Sequence, residues 1–185
     1  MWKRQKNKED LNYDSLIKTA LTGHLGEAVR EVQRQQQQQQ QQQASATVEG
    51  NSEAAHTLCC VIEALFIHRL RDSFIDKVSN VFSGDVVRQP APTFFPFLLG
   101  FSHRHSVDFI TDSCPWLRTD IGRCRGWIRL VINDGMLSSY LELLAGERRL
   151  LGDFYDRQAY LRDPEHLDIA RKLLSGLEMI QFKLV

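Results

Sequence analysis

The chain has 185 residues, 43% hydrophobic and 25% charged, and its 23 Lys and Arg balance its 23 Asp and Glu. That length fits one ordinary domain with one core, and zero formal net charge removes any overall pull on nucleic acid or an anionic membrane. No apolar run follows the basic start, and the longest apolar stretches, 59–65 and 94–99, fall far short of the roughly 20 residues of a membrane span. The four cysteines, Cys59, Cys60, Cys114 and Cys124, come with nothing that directs the chain to an oxidising compartment. The expectation is a cytoplasmic protein that reaches any membrane through a partner.

Residues 1–11 form a basic leader, expected to be flexible. Leu16, Ile17, Ala20, Leu21, Leu25, Ala28, Val29 and Val32 then recur at three- and four-residue spacing, which predicts a helix over 12–33. The glutamines of 35–43 and the small polar residues after them cannot bury apolar area, so 34–52 is expected to be a disordered insertion. It receives no functional role, since each doubling of loop length costs only about 0.6 kcal/mol.

The rest of the domain, 53–185, opens on a helix with Leu58, Cys59, Ile62, Leu65, Phe66 and Leu70 on its buried side and His68 and Arg71 off it. A break with Gly84, Pro90 and Pro92 follows, then Phe94, Phe95, Phe97, Leu98 and Leu99, which predict a short buried helix. A turn near 103–106 leads to 107–111, too short to classify, and Pro115 closes it. Thr119 or Asp120 caps the clearest helix, with Ile121, Cys124, Trp127, Ile128, Val131 and Ile132 on its apolar side and Arg123, Arg125 and Arg129 elsewhere. After the turn at Asn133, Asp134 and Gly135 come two shorter apolar faces, through Leu144 and through Tyr155. Asp163 as N-cap, Pro164 in the first position and Glu165 in the first turn start the last helix, which extends through Ile180. No alternating β-branched run is long enough for a strand. The fold class is therefore all-α, a compact single-domain bundle.

Little here resembles catalytic machinery. His103, His105, Asp108 and Cys114 are metal-ligating types, but histidines at i and i+2 face apart on a helix, whereas helical metal sites use i and i+4. No Cys-x-x-Cys pair, Gly-x-Ser-x-Gly elbow, phosphate-cradling glycine loop or His-Glu-x-x-His occurs, and no metal or cofactor is implied. The distinctive feature is the stretch 118–129, with four arginines against one acid, Asp120, in a chain of no net charge. An isolated surface Arg is ordinarily a solvated ion-pair partner. Four together form a basic surface suited to forked recognition of carboxylates on an acidic protein.

The string Thr119, Asp120, Ile121, Gly122, Arg123, Cys124, Arg125, Gly126, Trp127, Ile128, Arg129, Leu130, continuing to Asn133, Asp134 and Gly135, resembles the hallmark helix of RUN domains. Further blocks agree in order: 62–68 upstream, 94–99 in the middle, and 160–163 and 175–177 downstream. Within the family the chain is most similar to the pleckstrin-homology-domain-containing family M type. The resemblance implies a bundle of about eight helices that binds a GTP-loaded small GTPase, of the lysosomal Arf-like type, without catalysis. A Rab- or Rap-type GTPase, or a motor or cytoskeletal partner, is the alternative. Carried over position by position, it implies His68, Arg104, Arg123 and Arg125 as partner-binding residues. It also implies recruitment to late endosomal or lysosomal membrane, in positioning, fusion or autophagy. Two residues depart from the pattern: Gly126 replaces the usual Ala, and Arg69 replaces a common small residue beside His68.

Overall fold

The computed structural model describes residues 2–41, 47–71 and 93–184, with side chains from residue 12 onward. Among the described residues there are eight α-helices: α1 (Trp2–Gln41), α2 (Glu53–Ile67), α3 (Phe95–Phe101), α4 (Arg104–Asp108), α5 (Asp120–Asn133), α6 (Leu137–Gly146), α7 (Arg148–Phe154) and α8 (Pro164–Ser175). Among the described residues the regular structure is helical apart from a two-residue parallel pair, β1 (Val48–Glu49) against β2 (Phe182–Lys183), and an isolated bridge between Leu70 and Tyr155. No described helix is long and apolar enough to cross a membrane. The expected Pro-rich break before residue 93 lies outside the described residues.

The cap chemistry operates as the residue types dictate. Thr119 Oγ1 accepts the Gly122 N–H at 3.1 Å to start α5. Asp163 accepts from Glu165 and His166 to start α8, with Pro164 in the first turn, where its missing N–H costs nothing.

The first helix is longer than the expected 12–33 on both sides: it begins at Trp2, inside the stretch assigned to a leader, and runs through Gln41, inside the stretch assigned to an insertion. Gln, Glu, Lys and Arg keep most of their rotamer freedom in a helix, so a polar run prolongs one readily. Specific contacts also hold its end. Gln33 Nε2 donates to the Gly176 carbonyl at 3.2 Å, and Gln35 Oε1 accepts from the Ser52 hydroxyl at 2.6 Å, tying the first glutamine of the tract to the N-cap of α2.

The core is an aromatic cluster. Phe66 of α2 stacks on Phe94 with centroids 5.0 Å apart and meets the Trp127 ring edge-on at 5.6 Å. Trp127 also packs on Tyr140 of α6 at 5.3 Å, and Phe97 of α3 meets Tyr155 edge-on at 5.0 Å. The polar tips are satisfied inside: Trp127 Nε1 donates to Ser102 Oγ at 2.7 Å and the Tyr155 hydroxyl to the Phe66 carbonyl at 2.8 Å. Not every residue on the predicted stripes is inside. Leu16 and Leu99 are exposed, because the buried faces of α1 and α3 are narrower than their apolar content. The last helix stops at Ser175, and Leu177 and Ile180 reach the core from the turns beyond it.

An ionic seam fastens α1 to the bundle. Buried Asp14 accepts from Arg69 Nε at 3.0 Å and from its terminal nitrogen at 2.7 Å. One turn on, Lys18 pairs with Asp163, whose other oxygen lies 3.2 Å from His166 Nδ1. Thr22 and the Tyr160 hydroxyl follow at 2.8 Å.

Two outcomes follow for stability. Trp127→Ala should lower the unfolding free energy by about 3–5 kcal/mol in urea titration, as for other buried aromatics. Desolvation alone would raise the Asp163 carboxyl, but the hydrogen bonds from Lys18 and His166 outweigh it and hold the group at about 2, against an ordinary 3.8. Its contribution is therefore complete above pH 4 and lost as pH falls toward 2, and Asp163→Asn should remove that part of the acid-unfolding curve.

Candidate functional site

Helix α5 positions the two central arginines. Cys124, Trp127, Ile128 and Val131 recur at i, i+3, i+4 and i+7 and are buried, which fixes the rotation of the helix about its axis. Arg123 and Arg125 lie one step either side of Cys124, roughly 100° away in each direction, so they emerge on opposite flanks of the buried stripe.

On one flank the Arg123 guanidinium sits 5.4 Å from the centroid of the Phe95 ring of α3 and donates to Asp120 at 2.8 Å, while its Nε is buried without a partner. On the other, Arg125 Nε lies 2.9 Å from both carboxylate oxygens of Glu63 on α2. That hydrogen bond, foremost among the local effects, raises the Arg125 pKa above its ordinary value. Its two terminal nitrogens make no hydrogen bond with described residues, and the side chain is more than half exposed. Arg129, one turn further, donates to the Arg125 carbonyl at 3.2 Å.

Arg104 opens α4 and its side chain is 93% exposed, with only a 3.6 Å i,i+4 approach to Asp108. His68 is placed quite differently. It is the C-cap of α2, and its Nδ1 accepts the backbone N–H of Tyr160 at 3.0 Å. An accepting Nδ1 puts the proton on Nε2, which is buried without a partner. Desolvation, opposed by the Asp14 carboxylate and reinforced by the charges of Arg69 and Lys18, pushes the imidazole below its ordinary 6.5, so the ring is neutral at pH 7.

No hydrogen bond or ion pair joins any two of the four residues. The structure thus separates exposed Arg104, two arginines flanking the buried stripe of α5, and one histidine committed to an internal bond. The metal-ligating types expected to lie near a turn also stay apart: among the described residues no three His, Cys, Asp or Glu side chains converge. Cys59 and Cys124 are core thiols, each pushed up to about 11 by burial.

Three features needed the structure. Arg69, marked in the sequence as extra positive charge, sits at φ 58 just past α2, a left-handed position that favours glycine, and its guanidinium holds buried Asp14. Gly126 lies against Leu117: a Cβ there would meet Leu117 Cδ1 at 2.6 Å, so the end of that side chain would have to move. The loop before α5 presents Trp116, 66% exposed, next to exposed Arg118. A tryptophan so exposed is uncommon, and the pattern of Cys114, Pro115 and Leu117 around it shows no helical period that would have marked it as outward-facing.

The different placements are separable by experiment. His68→Ala strips the acceptor from the Tyr160 N–H and should cost about 1–3 kcal/mol in chemical denaturation, whereas Arg104→Ala should leave the midpoint unchanged. Because the folded-state pKa of His68 is lowered, its contribution is present above pH 6.5 and lost as pH falls below that value. The wild type should therefore lose stability over that range relative to His68→Ala.

The RUN domain family model matches residues 57–185, from inside α2 to the last residue. Over 91 residues the chain is 33% identical to mouse (Mus musculus) Pleckstrin homology domain-containing family M member 2, covering 49% of this chain and 9% of that protein, and 32% identical to the human (Homo sapiens) protein over the same length. Over 66 residues it is 39% identical to rat (Rattus norvegicus) Protein RUFY3, covering 36% of this chain and 14% of that protein. The matched stretch is thus about a tenth of the length of these curated relatives. With a helical bundle built around α5 and a family match over more than half its length, the chain belongs to the RUN domain family.

Proposed function

We infer that this domain is a non-catalytic docking module for a GTP-loaded small GTPase, of the lysosomal Arf-like type, and that such binding recruits it from the cytoplasm to late endosomal or lysosomal membrane. Its role there is as an adaptor in vesicle trafficking. The observation that carries this reading is Arg125, which projects from a rigidly seated helix with Glu63 on its inner nitrogen and its outer nitrogens without a partner among the described residues. A guanidinium so held is pre-organised to receive a partner's carboxylate in a fork, because little rotamer freedom remains to be lost on binding.

Arg123, on the other flank of α5, and exposed Arg104 are further basic positions for the partner, and Trp116 adds an exposed aromatic anchor of the kind that dominates interface energetics. His68, the fourth position that the resemblance implies, has its Nδ1 on the Tyr160 backbone N–H and only its Nε2 side left to face a partner. RUN family membership and similarity to a family M member support the same reading.

The test is binding of purified GTPases, locked in the GTP or GDP form, from a panel that includes Arf-like, Rab and Rap types. The expected result is capture of the GTP-locked lysosomal Arf-like protein and loss of about tenfold or more in affinity for Arg125→Glu or Arg123→Glu, with circular dichroism unchanged. Arg125→Lys should retain the Glu63 pair but lose the fork, giving an intermediate affinity. Arg104→Glu, at an exposed rim, should act mainly on the association rate and its salt dependence. Binding that is indifferent to both α5 variants, in folded protein, would remove α5 from the interface.

A further inference from the structure

A second surface, built from none of the helices that carry the arginine site, has the composition of a ligand cleft. Helices α6, α7 and α8 and the short 3-10 turn Tyr160–Arg162 enclose a cavity of about 280 Å³. Its floor is apolar, formed by core residues including Leu141, Leu151, Leu161 and Leu167. Its rim carries Arg148, Arg162 and Arg171 against two acids, Glu142 and Asp168.

Three guanidiniums against two carboxylates leave the lining a net positive charge, although Glu142, like two of the arginines, has no ion-pair partner among the described residues. Asp168 is shared, with Arg171 at 3.1 Å and Lys172 at 2.7 Å. Arg162 donates to the Tyr155 carbonyl at 3.0 Å and meets no carboxylate among the described residues. Arg148, exposed at the first position of α7, has no ion-pair partner among the described residues. Two guanidiniums without a carboxylate and a third that shares one thus surround an apolar floor. Such a cleft, apolar with a few convergent polar groups, has the general form of a recognition site, and guanidiniums are the groups that select carboxylates.

We propose that this cleft binds an acidic peptide segment of a partner protein, which places one large apolar side chain on the leucine floor and carboxylates on Arg148 and Arg162. The charge excess argues for an acidic occupant. The cavity volume, enough for one or two side chains and not for a helix, argues for a short segment. The inference stands independently of the GTPase reading, since no lining residue belongs to α2, α3 or α5. A domain with both surfaces could hold two partners together.

The test is selection from a randomised dodecapeptide display library on the whole domain, followed by fluorescence anisotropy with the enriched peptides. Arg148→Glu should fold well, since acid at a helix start is favourable. Ala145→Trp, on the exposed part of α6, fills the cleft without altering charge. The expected result is a consensus of acids around one large apolar residue, bound about tenfold or more weaker by both variants, with GTPase affinity unchanged. Peptides without acids, peptides that either variant binds as tightly as the wild type does, or no enrichment at all would each overturn the proposal. So would Arg148-dependent sedimentation with phosphatidylserine vesicles, which would make the cleft a lipid site.

Discussion

Burial of Trp127 is the constraint on which the rest of the domain depends. Its indole lies at the meeting point of α2, α3, α5 and α6, in ring contact with Phe66, Phe101 and Tyr140, and its single polar atom is satisfied by Ser102. A side chain of that size, fully enclosed, leaves α5 no freedom to rotate about its axis or slide along it. Every exposed residue of α5 is placed as a consequence. Arg123 is directed to the Phe95 ring and Arg125 to Glu63 because Cys124 and Trp127 are locked beneath them.

Around that fixed helix the domain uses ions in two ways. Where a charge is buried, as at Asp14, it has a close partner held in a defined geometry, because an unpaired carboxylate in that position would be strongly destabilising. At the surface the pairs leave guanidinium hydrogen-bonding capacity unused: the outer nitrogens of Arg125, and Arg148 and Arg162 at the second cleft. Internal pairs hold the fold, and the incomplete ones are the donors that the proposed acidic partners would meet. Arg69 belongs to the first class although its sequence position beside His68 resembles the second. Its left-handed backbone turns the chain after α2, and its side chain ties Asp14, within α1, to the bundle.

The glutamine tract shows how a local pattern can be read correctly in chemistry and differently in extent. A run of 35–43 has no apolar face, and nothing in such a run predicts burial. Yet its start continues α1 because glutamine does not oppose helix, and Ser52, which caps α2, also donates to Gln35. That second partner lies 17 residues away, beyond the reach of periodicity.

The sequence alone determined the features governed by local rules: the all-helical class, the stripes of α2 and α5, the caps at Thr119 and Asp163, and the concentration of arginines on one helix. These depend on spacing and cap chemistry within a few residues, and the RUN resemblance rests on the same segments. Only the tertiary structure decided which member of an apolar stripe stays outside, as Leu16 and Leu99 do, since that depends on how wide a face the neighbouring helices cover. It also decided that His68 spends its Nδ1 on Tyr160, that Gly126 lies against Leu117, and that Arg148 and Arg162 share one cleft. Each of those facts joins residues distant in sequence through packing, and no spacing along a single helix encodes them.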